Sequence, residues 1–392
     1  MNQLGRHEGT VHALALAPDG RTLYSAGDDG CVRAWPGGRV LVELPEDQSP
    51  NAIAVAPDGA WLALGSSFGQ VLLVHAAGGT PRDVTGEPPG HGHGDGNGVI
   101  DVAIDARGRI AAAGGNEHVD VRDFDGRILW AAQTYKWPFV VRFSPDGKRL
   151  AIASWDNQLY LPELSPWSGD LVDLESVDGC LDGPAFALEW TATDELVIGG
   201  VTNSADGGYL MRHRVAERGF AAHRELTAPV HALARAPGGR LLVGANDGAV
   251  TAWSLPDLVG GPTFAFLTAP RLARSRRHLV REFHDPRPGA VTALAAASDG
   301  RVFVGFLDGG LAELEAVEVE SGGAFIDQMA MLRTIRDVDA ALAKQHRIAA
   351  ILERGKTDPL GALSALREED PALADKLVDM LAARISQREG DK

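Results

Sequence analysis

The chain has 392 residues, 45% hydrophobic and 23% charged, a globular composition that speaks against disorder. Its formal net charge of −16 speaks against nonspecific binding to nucleic acid or an anionic membrane, and no run of about 18 apolar residues offers a membrane span. Two cysteines, Cys31 and Cys180, form no disulfide framework and MNQLGRHEGT has no signal-peptide core, so the expected location is the cytoplasm.

The first element is a strand set. From Val11 to Trp35 the sequence VHALALAPDGRTLYSAGDDGCVRAW alternates apolar and polar residues with period two, turning at Pro18-Asp19-Gly20 and again at Asp28-Asp29-Gly30. Three short antiparallel strands joined by hairpin turns satisfy that pattern. Similar units start at Asn51, Val99, Phe139, Phe186, Val230 and Val291, making seven. Their first turns fall at Gly20, Gly59, Gly108, Gly147, Asp194, Gly239 and Gly300, at intervals of 39, 49, 39, 47, 45 and 61 residues. Those intervals match one propeller blade of about 40–45 residues, with insertions. One unit cannot bury both of its apolar faces; a closed ring of seven buries them all.

These units resemble the WD-repeat family. His7, Ser25, Asp29 and Trp35 of the first unit match the family's structural tetrad, in which Asp holds His and His contacts Ser and the Trp indole. Asp156, Asp247 and Asp308 match the turn aspartate elsewhere, and Trp253 matches the tryptophan. Phe68 stands where the second unit should have Asp, and Arg122 where the third should have Trp. The resemblance implies an all-β, seven-bladed propeller of four-stranded antiparallel blades over residues 1–320.

Two insertions interrupt the pattern. Residues 76–98 form a Gly/Pro-rich loop that cannot build a core. Residues 260–289 gather Arg274, Arg276, Arg277 and Arg281 on an acidic protein, a docking site for an acidic partner segment or a solvated loop. From 321 to 392 the period becomes helical. Phe325, Met329, Leu332 and Ile335 begin one amphipathic stripe, and Asp358-Pro359 and Asp370-Pro371 start two more helices. This α-helical tail of about three helices is expected to attach a second component or to self-associate.

Chemical motifs are weak. Gly65-Ser66-Ser67-Phe68-Gly69 matches G-x-S-x-G, but lies in a strand-to-strand turn rather than a strand-to-helix elbow. His91, His93 and Asp95 stand among glycines that leave them unorganised as metal ligands. No catalytic residue, metal or cofactor is expected.

By the same resemblance, three positions per blade face partners: the two flanking the first strand's opening residue, and the residue before the turn Asp. In the fourth unit these are Trp137, Phe139 and Trp155; Phe186 follows in the fifth, with His12 in the first and His231 in the sixth. Aromatic residues in register on one face mark an interface anchor. The expected function is a noncatalytic protein-interaction scaffold or recognition subunit, binding a peptide or protein on the propeller face. The alternatives are an enzyme at the central channel or a sensor subunit of a bacterial signalling or defence system. A bacterial origin is suggested by lysine scarcity, six residues against thirty-one arginines.

Overall fold

The computed structural model describes residues 2–314 apart from 47, 87–97, 116, 166–170, 204–206, 256–257, 259–263 and 267–289. The chain divides into two units, Met1–Glu318 and Val319–Lys392. Outside the described residues lie the expected helical tail, the arginines Arg274, Arg276, Arg277 and Arg281, and the residues His91, His93 and Asp95.

Seven sheets form from the seven repeats. Their turns explain why the chain folds back where it does. In the first, Asp19 Oδ1 accepts the Arg21 and Thr22 amides at 2.8 and 3.2 Å, while Gly20 takes the left-handed φ of +67°. Asp58, Asp146 and Asp299 repeat that aspartate grip in three other blades.

The innermost strands are Val11–Leu16, Pro50–Val55, Val99–Ile104, Pro138–Phe143, Ala185–Ala192, Val230–Ala236 and Val291–Ala296, in blades one to seven. Each packs beside the next, and Val291–Ala296 packs beside Val11–Leu16, so the ring is closed. Closure is made in blade seven. There Asn2–Arg6, from the start of the chain, pairs antiparallel with Gly310–Leu314 as the outermost strand.

The core is distributed. Seven hydrophobic clusters each lie at one seam between consecutive blades. At the first seam Val32 and Val42 of blade one meet Leu62, Leu64 and Val74 of blade two. Leu62 and Leu64 are wholly buried, and each such side chain contributes roughly 1.5–3 kcal/mol.

Two blades depart from four antiparallel strands. Blade four has three, and blade three gains a fifth, Leu171–Val172, which pairs in parallel with Ile128–Gln133. The same segment then returns to blade four, where Ser176 bridges Tyr160 and the Val177 amide donates to the Leu159 carbonyl. Blade four's third strand is only Leu159–Tyr160, followed by Pro162, which has no amide for a ladder. The outer edge is therefore shared between the two blades. No helix among the described residues is long and apolar enough to cross a membrane.

Candidate partner-binding face

One local irregularity recurs in every blade. The pairing of first and second strands slips by one residue near the start of each inner strand, between Val11/Ala13, Pro50/Ala52, Val99/Asp101, Pro138/Val140, Ala185/Ala187, Val230/Ala232 and Val291/Ala293. A β-bulge re-aims the extra residue and ends regular pairing. The seven bulged residues are His12, Asn51, Ile100, Phe139, Phe186, His231 and Thr292, all partly exposed. A second repeat fixes the rim beside them. In each blade the residue that ends the second strand or opens the second turn donates its amide to the residue before the inner strand, as Trp155 does to the Trp137 carbonyl at 2.9 Å and Asp28 to Thr10 at 2.9 Å.

Ile100 apart, the bulged residues divide by chemistry. On one side they are bound to the protein: Thr292 Oγ1 donates to the Val11 carbonyl, His12 Nε2 lies 2.6 Å from Asp28 Oδ1, and Asn51 Nδ2 donates to the Val99 carbonyl at 3.0 Å. Asp28 is held below the usual carboxylate range: burial opposes ionisation, but the bonds from His12 and the Thr10 amide outweigh it. On the other side they are aromatic. The Phe139 ring centroid lies 5.3 Å from Trp155 and 5.3 Å from Phe186, and Phe186 stacks on His231 at 5.2 Å. An unbroken row, Trp155–Phe139–Phe186–His231, thus crosses blades four, five and six. Trp137, beside it, is 40% exposed, and Tyr135 two residues earlier is 82% exposed. His12 is across the ring in blade one, apart from this row.

The tetrad residues come together in blade one. His7 Nδ1 is 2.7 Å from Asp29 Oδ1 and its Nε2 is 2.6 Å from Ser25 Oγ. The Trp35 indole donates to Ser25 Oγ at 2.8 Å, so the serine, rather than the histidine, receives the tryptophan. A neutral imidazole fits this chain, donating through Nδ1 and accepting the serine hydroxyl at Nε2. Asp29 also accepts from the Cys31 amide and Arg33, and its carboxyl is held down at about 2: burial opposes ionisation, but the bonds from His7, Cys31 and Arg33 prevail. Gly27 makes room, since a Cβ there would stand 2.5 Å from His7 Nδ1. The other blades substitute. Asp156 accepts the Tyr160 hydroxyl at 2.6 Å, and the Trp253 indole donates to Thr251 Oγ1 at 3.0 Å.

Comparison with known proteins finds similar repeats and a similar fold. The family described as "WD domain, G-beta repeat" matches residues 1–36 and 137–161. The WD40 beta propeller domain of Doa1, solved by crystallography, superposes with a TM-score of 0.63 at 14% identity, covering 80% of this chain and 96% of that one. The matches support a WD-repeat propeller. Among curated proteins, WD repeat-containing protein 38 of Mus musculus is 52% identical over 42 residues, 10% of this chain. Telomerase protein component 1 of Mus musculus is 26% identical over 265 residues, 64% of this chain. The matched regions span only 14% and 9% of those two relatives.

The propeller also holds charges within its strands. Arg122, at the third blade's tryptophan position, is fully buried against Asp120, donating Nε at 2.7 Å and Nη2 at 2.5 Å, and donates Nη1 to the Val84 carbonyl at 2.9 Å. On the inner strands, Arg142 donates to Asp101 and to the Val141 carbonyl, and Glu189 follows on the next blade. Burial pushes the Glu189 carboxyl up to about 7, against the opposing pull of Arg142 and Arg235. The signal for Arg142 and Glu189 is in the sequence: FVVRF and FALEW each carry a charge where other repeats have alanine. Ser67, the serine position of the G-x-S-x-G match, is half-buried in the turn, where its hydroxyl oxygen accepts the Ser49 amide at 3.0 Å. The neighbouring Ser66 is buried, and its hydroxyl oxygen accepts the Phe68 and Gln70 amides at 3.2 and 3.1 Å. It is a turn cap.

Proposed function

We propose that this chain is a noncatalytic interaction scaffold or recognition subunit, acting in the cytoplasm, that binds a protein or peptide across blades four to six. WD-repeat propellers in general serve as protein-interaction scaffolds. One observation carries the reading: the aromatic row Trp155–Phe139–Phe186–His231 runs unbroken over three blades, with Trp137 exposed at its end. Rings fixed by mutual contact offer apolar area at little entropic cost, the property of an interface anchor. The same reading keeps His12 as a partner contact on blade one, and Arg274, Arg276, Arg277 and Arg281 as a docking segment for an acidic partner stretch. In this reading residues 1–320 are the binding platform, and residues 321–392 are the helical tail that joins a second component.

The test is capture of partners by the full chain and by Trp155→Ala, with affinities then measured on the captured protein. Trp155→Ala should weaken binding by about 2 kcal/mol, roughly 30-fold, and leave the melting curve nearly unchanged. Equal affinity for the same partner would overturn the reading. A second reading, an enzyme working at the channel, draws on the perturbed carboxyl of Glu189. Among the described residues no nucleophile or second carboxyl is bonded to it. A sensor role in a bacterial signalling or defence system would use the same face.

A further inference from the structure

Three residues beyond each bulge, the inner strands carry one equivalent position. Five blades place alanine there, Ala15, Ala54, Ala103, Ala234 and Ala295; blades four and five place Arg142 and Glu189. Small side chains around most of the layer leave Glu189 the acidic group of a largely neutral wall. Arg142 is already engaged by Asp101 and by the Val141 carbonyl. Glu189 is partly exposed and makes no hydrogen bond or ion pair among the described residues. An unpaired carboxylate in a half-buried setting is a high-energy group that an incoming cation would relieve.

We infer that the partner segment docking on blades four to six inserts one lysine or arginine side chain beside Glu189, while its apolar neighbours rest on the aromatic row. The inference rests on the docking reading above and names the chemistry of its partner. Glu189 follows Phe186 on the same strand by three residues, about 10 Å along an extended chain. That depth suits a long basic side chain reaching past the rings, and the rings themselves attract a cation passing over them. The protein's net charge of −16 favours the same partner.

The site carries a pH signature. The charged groups on the strands packed against Ala185–Ala192 are Arg142 in blade four, His231 and Arg235 in blade six, and Glu195 on the following strand. Glu195 is bound to Thr191 and Arg214, and Arg235 is exposed to solvent. The Glu189 carboxyl, at about 7, is mostly protonated at pH 6 and mostly ionised at pH 8. A cation binds the ionised form, so affinity rises with pH, by about tenfold between pH 6 and 8.

The test titrates acetyl-Leu-Arg-Leu-amide and its citrulline counterpart into the full chain, Glu189→Gln and Trp155→Ala, at pH 6 and pH 8. On the native chain at pH 8 the arginine peptide should bind at least about tenfold tighter than the citrulline peptide. That advantage should shrink about tenfold at pH 6 and vanish at both pH values in Glu189→Gln. Trp155→Ala should weaken both peptides alike and keep their ratio at pH 8. Equal binding of the two peptides at pH 8, or an advantage that survives Glu189→Gln, overturns the cation site. If the ratio depends on Glu189 but Trp155→Ala changes neither peptide, the docking reading fails and the cation site stands. Failure of both peptides to bind at millimolar concentration overturns both.

Discussion

At the scale of single residues, stability in blade one is carried by a polar chain running from Asp29 through His7 and Ser25 to Trp35. Every link is at hydrogen-bonding distance, and removing one end leaves donors unpaired. Asp29→Ala should therefore lower unfolding stability by roughly 1–3 kcal/mol, measured by denaturant titration at neutral pH. The effect has a defined pH dependence. Asp29 is held at about 2 in the folded chain and returns to an ordinary carboxylate value on unfolding. Its contribution is complete above that unfolded value and is lost as the pH falls through about 2. The gap between the native chain and Asp29→Ala should accordingly narrow from pH 5 downward. The Asp120–Arg122 pair behaves differently, because both side chains are fully excluded from solvent. Asp120→Ala strands a buried guanidinium and should cost about 3–5 kcal/mol, whereas replacing both residues with apolar ones of similar volume should recover much of that loss. Equal destabilisation of single and double variants, read by thermal melting, would show that volume rather than charge matters there.

At the scale of elements, the strands obey local chemistry until they meet their neighbours. The strand Asn2–Arg6 illustrates this, since it has no sheet of its own and completes the last blade. Gly5 within it lies against the Trp35 ring, so closely that a Cβ would come within 2.3 Å of it. The closing strand and the blade-one tetrad are thus packed as one piece. Deleting residues 1–6 should cost about 2–5 kcal/mol and lower the melting temperature by several degrees, read by calorimetry. Added peptide of residues 1–8 should restore part of the loss. An unchanged melt would mean that the ring does not depend on this strand. The bulges are the other device at this scale. By turning one residue per blade out of regular pairing, they gather side chains from seven strands at one rim, and the aromatic row follows from that geometry.

At the scale of the whole molecule, the seven seams divide the core into parts that each need two blades. No blade is expected to stand alone, and unfolding of the ring should be cooperative. All seven described sheets are made by residues before 315. Removing residues 324–392 takes no described strand from the ring, so the truncated chain should melt as the full chain does. If the tail joins a second component, as proposed, sedimentation or partner binding should nevertheless change. Unfolding of the truncated chain would instead make the tail part of the propeller's stability.

Alone, the sequence determined the repeat, the strands and their turns, because these depend on neighbours within a few residues: period-two alternation, an aspartate that grips its own turn, a glycine at positive φ. The resemblance to the WD repeat also nominated Trp137, Phe139 and Trp155 as partner-facing positions. Only the tertiary structure decided what those residues touch. That Phe139 meets Phe186, and Phe186 meets His231, follows from bulges that exist only once strands are paired and blades are closed. Likewise the outer edge shared by blades three and four, the burial of Arg122 against Asp120, and the unpaired carboxyl of Glu189 depend on chain segments brought together by the ring. A charge inside an apolar strand is visible in the sequence; whether it is paired, buried or open to a partner is set by the blade beside it.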